Sequence, residues 1–353
     1  MIKLISQWYK NNFSNPQSAI LSLILIIVIA AIYFFGNILV PMFASIILAY
    51  LLNGITNKIE SIYKINHNIL LIIVFTSFLS LIIFSLVMLL PAVMYQLTNF
   101  VSKVPGYAST TQTELTKLIA SQPDIFNHSL FADIGKNFSE LITNFTKEVV
   151  TESFSFLPNL VSFLIYLIMV PMLTWFLLSD KDMMIKALNS LVPTDHSLTK
   201  KVWHDVDLQL GNYIFGKIIE IITVGIVTYL GFLIFDLQFA LLLAVLVGFS
   251  VLIPYIGITV VSIPVILVAF SQFGLSSELV YLLIVFFIIQ ALDAFVLVPI
   301  LFAKAINMHP VAIIIAILFF GGLWGFWGLF FAIPLAVLIH AIILVWPKQN
   351  MDI

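Results

Sequence analysis

Residues 237–270 read LQFALLLAVLVGFSVLIPYIGITVVSIPVILVAF. A straight helix over these 34 positions would extend about 51 Å at 1.5 Å per residue, against a bilayer hydrocarbon core of about 30 Å. Pro254 and Gly257 stand near its centre and Pro264 lies beyond. Proline removes a backbone donor and clashes with the preceding turn, so a break is expected at 253–257. A second run, 310–345, is also too long for one crossing. Its middle carries FGGLWGFWGLFF at 320–331, with Gly321, Gly322, Gly325 and Gly328 interleaved with Trp324 and Trp327.

The two runs share a plan. Each follows an ordinary apolar span, at 213–235 and 279–299, and the polar link FAKAINM at 302–308 precedes the second run. Displacing the chain by 71 positions pairs Asp236 with Asn307 and Gly257 with Gly328, and brings Pro264 within one position of the partner of Pro334. Two architectures follow. In one, each run is a re-entrant hairpin of two half-helices, and the two units form an inverted repeat, as in many secondary transporters. In the other, both runs cross as kinked helices, making eight transmembrane helices. Hairpins place Lys304 and Lys348 on the cytoplasmic side, which suits the positive-inside rule.

A hairpin tip at membrane depth leaves backbone groups unpaired, tolerated only where protein or a water-filled cavity satisfies them. Such tips suit a polar solute. The expected substrate contacts are Pro254, Tyr255 and Gly257 in the first tip, and Gly321, Gly322, Trp324, Gly325 and Gly328 in the second. The competing reading of Gly321 and Gly325 is a GxxxG helix-packing motif. Gly322 and Gly328 lie outside that register, and the tryptophans are too bulky for a close crossing.

Working outward, apolar runs at 19–35, 38–52 and 69–94 read as three N-terminal spans and 157–178 as a fourth. The expected division is therefore a scaffold at 1–94, an extracytoplasmic amphipathic insert at 95–156, a fourth span with a cytoplasmic link at 157–212, a transport unit at 213–347 and a tail at 348–353. Within the insert, Phe138, Leu141, Ile142, Phe145 and Val149 recur at helical spacing; a solvated connector with surface helices is the plainer alternative. Lysines near span ends place both termini in the cytoplasm and the insert outside. The fold class expected is an all-α polytopic membrane protein with about six full transmembrane helices plus two interrupted segments.

Composition narrows the function. The chain of 353 residues is 62% hydrophobic and 9% charged, which no soluble domain tolerates. It has no cysteine, and all fifteen of its positive charges are lysine. A net charge of −2 leaves no nucleic-acid footprint. No phosphate-binding loop or HExxH occurs, and the GFSV at 248–251 only approaches an intramembrane serine-protease GxSG. No catalytic residue, metal ligand or cofactor is expected.

Asp293 is the acidic residue well inside a span, three positions from Gln290 and on the same helix face. Intramembrane carboxylates are costly and usually face a polar interior, where they carry protons or coordinate cations. The plainer role is a structural bond to a neighbouring helix. Lys217 and Glu220 are one turn apart near the start of the 213–235 span, a candidate coupling pair or a snorkelling lysine with its partner. His309, before Pro310, reads as a titrating group or a helix cap.

The blocks IPYIG (253–257), LVPILFAKAINMHP (297–310) and FGGLWGFWGLFFAIPLA (320–336) resemble the autoinducer-2 exporter family, closest to its PerM-like permeases. The resemblance is strong over 211–347 and one of layout before that. It departs at Lys304, where the branch often carries an acidic residue. The resemblance implies a secondary transporter exporting a small polar solute, autoinducer-2 in some members and sodium/proton exchange in others. It also implies hairpins that take part in substrate binding, an elevator-type movement and a homo-oligomer, a pentamer, in the bacterial cytoplasmic membrane. An oligomeric channel or a membrane scaffold are the readings from other classes.

Overall fold

The computed structural model describes the backbone of residues 16–121, 140, 144, 156–191, 197–302 and 308–345. The helices are α1 (Pro16–Tyr63), α2 (His67–Ser121), α3 (Phe156–Ser179), α4 (Lys181–Leu191), α5 (Ser197–Ile234), α6 (Ala240–Ser250), α7 (Ile256–Phe273), α8 (Ser277–Leu292), α9 (Val298–Phe302) and α10 (Pro310–Val345). A five-residue π-helical turn, Asp293–Leu297, joins α8 to α9. Six of the described helices are long and apolar enough to cross a membrane, or seven when α3 and α4 are counted as one bent span. The protein is therefore a multi-pass, all-α membrane protein.

The first interrupted run is a hairpin. Gln272, at the end of α7, accepts from the Gln238 amide at 2.8 Å and donates through Nε2 to the Asp236 carbonyl at 2.9 Å. Those partners are 34 and 36 positions away along the chain, so the run returns to its start and does not cross. One buried cluster takes Leu242, Leu243 and Val247 from α6 together with Val265, Val268 and Ala269 from α7. The turn spans 251–255, where Leu252 and Ile253 donate to Phe249 and Ser250.

The second run also doubles back. Helix α10 is broken at Gly325, with φ 60° and ψ −136°. Gly328 lies against the Phe320 carbonyl, and a Cβ at Gly321 would be 3.1 Å from Leu329 Cγ. Eight residues of straight helix span about 12 Å, so such contacts require reversal. Ala316, Ile317 and Phe320 before the break share a buried cluster with Phe331, Ala332 and Leu335 after it. Both runs are hairpins, and the eight-helix kinked alternative fails.

The N-terminal half departs from expectation. The runs 19–35 and 38–52 form one continuous helix, α1, of 48 residues, about 72 Å long. Pro41 does not break it. The Ser45 hydroxyl donates to the Pro41 and Val170 carbonyls at 2.5 and 3.1 Å, and Thr174 donates to Val170 at 2.7 Å. This hydroxyl seam binds α1 to α3 where Pro41 and Pro171 stand close in sequence to it. The expected boundary between 94 and 95 falls inside α2, which runs unbroken through Pro91 and Pro105 to Ser121, and that between 212 and 213 falls inside α5. Phe138, Leu141, Ile142, Phe145 and Val149, which carry the expected helical spacing, and the link residues 303–307 lie outside the described residues.

By internal packing the chain forms two compact units. One comprises Met1–Thr76, Tyr166–Gly216 and Ile300–Ile353; the other comprises Ser77–Ile165 and Lys217–Pro299. The residues of the expected transport unit at 213–347 are divided between the two, and each hairpin packs within a different unit. The first unit builds its core around α1 and the two arms of α10. The second builds its core from α2, α5, α8 and the α6–α7 hairpin. Lipid supplies no hydrophobic drive between helices, so close approach at small residues matters. A Cβ on Gly248 would stand 3.0 Å from the Ile221 carbonyl and 3.1 Å from Gly225 Cα. Helices α5 and α6 therefore touch backbone to backbone.

Candidate functional site

The second unit brings together four polar residues singled out in the sequence and the first hairpin tip. The Gly225–Gly248 crossing holds α6 against α5, and one to two turns earlier on α5 stand Lys217 and Glu220. The Lys217 Nζ lies 2.7 Å from Glu220 Oε2, with only 9% and 3% of the two side chains exposed. The same ammonium donates to the Val251 carbonyl at 2.9 Å. Val251 is the C-cap of α6, where the chain leaves the helix and its carbonyl lacks a helical partner. A buried cation thus joins an intramembrane carboxylate to the backbone of the tip. Snorkelling is excluded for Lys217, whose head is turned inward.

Asp293 is within electrostatic reach of both Lys217 and Glu220. It opens the π-helical turn, in which the Val298 amide donates to the Asp293 carbonyl. Such π turns inside α-helices concentrate at functional sites, because the extra residue re-aims side chains. Its Oδ1 and the Gln290 Nε2 are buried with no hydrogen-bond partner among the described residues. A buried polar atom left without a partner costs about 1–3 kcal/mol, so an acceptor and a donor held this way call for explanation.

The first tip is turned by Tyr255, a non-glycine residue at φ 64° and ψ −47° that is 63% exposed. The Pro254 carbonyl accepts from Ile256, and the Gly257 amide donates to Ile253. Gly257 is buried against the Ser250 carbonyl, where any Cβ would collide with backbone. Gly328 meets the Phe320 carbonyl in the same way in the second hairpin. The two glycines paired by the 71-residue displacement therefore do one job: each lets its hairpin close.

In the second tip, added Cβ atoms at Gly322 and Gly325 would meet nothing within 4 Å. The helix breaks at Gly325, so Gly321 and Gly325 do not share one continuous packing face. Trp324, by contrast, is packed. It is 8% exposed, stacks on Phe331 at 5.5 Å between ring centroids and leans on Phe43 at 5.6 Å. It also fills the space over Gly36, where a Cβ would come 2.6 Å from its Cδ1. Trp327 continues the stack onto Phe331. His309 Nδ1 accepts from the Val311 amide at 3.3 Å and its carbonyl from Ala312 at 2.8 Å, which makes it a cap of α10.

The sequence reading missed the grip of α2 on the first hairpin. Gln96 Oε1 accepts from the Leu242 amide, one of the first amides of α6, and Tyr107 donates to Gln238 at 3.0 Å. Phe100 and Val104 are buried in the same core. Their signal is the run of apolar residues at helical spacing beyond 94, within the expected insert.

The AI-2E family transporter model matches residues 22–348. The chain is 41% identical over 353 residues to the "Putative permease PerM" of Escherichia coli strain K12, covering 99% of each chain. It is 24% identical over 320 residues to the "Putative transport protein YrrI" of Bacillus subtilis strain 168, covering 90% of this chain and 88% of that one.

Proposed function

Because the chain belongs to the AI-2E transporter family, we propose that it is a secondary transporter exporting a small polar solute, autoinducer-2-like, by an elevator-type movement. Each hairpin tip offers backbone groups to the solute, through Pro254, Tyr255 and Gly257 in one and Gly321, Gly322, Gly325 and Gly328 in the other. Trp324 shapes the second tip from behind. Lys217, Glu220, Gln290 and Asp293 form the coupling centre. The observation that carries this reading is the Lys217 ammonium bridging the Glu220 carboxylate and the Val251 carbonyl. Any change of charge or ligation at the carboxylates alters the hold on the tip, which is what coupling requires.

A second reading, sodium/proton exchange, is favoured by the nearness of two intramembrane carboxylates, since a pair with one lysine can trade a proton for a cation. Flux in proteoliposomes separates the readings. Export of solute with saturation supports the first, and cation-driven proton movement without added solute supports the second. Asp293→Asn is expected to abolish coupled flux while leaving expression and the size-exclusion profile unchanged. Wild-type flux in that variant removes Asp293 from the mechanism. Ohmic single-channel currents would replace both readings by a channel. The cytoplasmic membrane location and a homo-oligomer, a pentamer, belong to the same proposal.

A further inference from the structure

A polar cavity of about 420 Å³ lies wholly within the first unit, and none of the tip or coupling residues lines it. Its volume falls in the range of small-molecule sites. Asn53 and Asn57 line it from α1, His67 and Asn68 from the start of α2, and Lys181 and Asp182 from the start of α4. The Trp175 indole and the buried Leu71 and Leu178 close its apolar side.

Two helices change from apolar to polar at this cavity. Helix α3 is apolar through Leu178 and ends at Ser179; the chain then turns by 76° into α4. Helix α2 begins His67-Asn68 and becomes Ile69-Leu70-Leu71-Ile72. Trp175 sits one turn before the end of α3, the place interfacial tryptophans occupy. Met183, Met184 and Ile185 of α4 are exposed beside its charges, the pattern of a helix lying in the interface plane. The cavity therefore opens at headgroup depth.

Its chemistry selects among headgroups. His67 is engaged by Glu60, with Nδ1 and Oε2 2.7 Å apart, which leaves Lys181 and Asp182 as neighbouring opposite charges in the lining. Carboxamides add donors suited to phosphate oxygens. A pair of zero net charge suits a zwitterion better than an anion. Ile72 lines the cavity and is half-exposed, as are Ile69 and Ile73, so an acyl chain has an apolar track leading away. We propose that this cavity binds the headgroup of a zwitterionic aminophospholipid, with phosphate on Lys181 and the asparagines and the primary ammonium on Asp182.

The test uses the full chain in nonionic detergent, following Tm while dioleoyl phosphatidylethanolamine, phosphatidylcholine, phosphatidylglycerol or soluble glycerophosphoethanolamine is titrated. Phosphatidylethanolamine is expected to raise Tm most. Its apparent Kd should weaken about tenfold in Lys181→Gln and in Asp182→Asn, the loss of one charge-assisted bond in each, and Lys181→Arg should retain binding. Equal stabilisation by phosphatidylglycerol, or an unchanged Kd in both variants, overturns the proposal. Equal protection by glycerophosphoethanolamine assigns the cavity to a soluble solute and overturns it too. Should the variants fail to fold, native mass spectrometry of the wild type decides, with ethanolamine lipid expected to outcompete phosphatidylglycerol and the reverse order overturning the idea.

Discussion

Gly325 holds φ 60° and ψ −136°, a backbone region essentially reserved for glycine, where another residue costs on the order of 1–3 kcal/mol. Gly322, three positions earlier, lies in helix with open space where a Cβ would go. The two glycines should thus answer one substitution with opposite signs. Gly325→Ala is expected to lower Tm in detergent, whereas Gly322→Ala should leave it unchanged or raise it, by up to about 1 kcal/mol of helix propensity. Thermal unfolding followed by tryptophan fluorescence checks both, and a tolerated Gly325→Ala would mean the tip is not held in that conformation. Gly257→Ala and Gly328→Ala should be costlier still. There the added methyl meets the Ser250 or Phe320 carbonyl, which cannot rotate aside.

At the scale of elements, the decisive contact is that of α5 with the first hairpin. Removing the Lys217 ammonium alone strands Glu220 as an uncompensated buried charge, at a cost of about 3–5 kcal/mol, and frees the Val251 carbonyl. Lys217→Met is therefore expected to be strongly destabilised, with faster hydrogen exchange at 249–257. Lys217→Met combined with Glu220→Gln removes the charge as well as its partner, so most of the stability should return while transport does not. A double variant as unstable as the single one would mean that the bond to Val251, not the ion pair, holds the element. At the other end of the hairpin the Gln272 bonds are solvent-exposed, and Gln272→Ala should cost only about 0.5–1.5 kcal/mol. Its mark would be faster exchange at the Gln238 amide, with the tip unaffected.

At the scale of the whole molecule, the hairpins were legible because each run outlasts the bilayer and Pro254, Gly257 and Gly325 punctuate it in the right places; length alone does not break a helix, as the 48-residue α1 shows. The candidate coupling residues were legible because charge inside an apolar run is costly enough to stand out. The partner of Lys217 at Val251 was not legible, since a backbone carbonyl leaves no mark in sequence. The continuity of α1 was not legible for a related reason. Gly36 and Asn37 stand between two apolar runs, but α1 continues through them, and Gly36 makes room for the Trp324 ring. For a continuous α1 a single crossing is expected, which would put its two ends on opposite sides. Two crossings would return them to the same side. The absence of native cysteine makes the test clean: single cysteines replacing Gln17 and Ser61 should label with a membrane-impermeant maleimide from opposite faces of oriented vesicles. Labelling from the same face would restore the paired spans and break α1 at Gly36. The expected result also changes the parity behind the lysine-based orientation, because Lys58 and Lys64 then stand across the membrane from residue 16 and the cytoplasmic face must be assigned by that labelling.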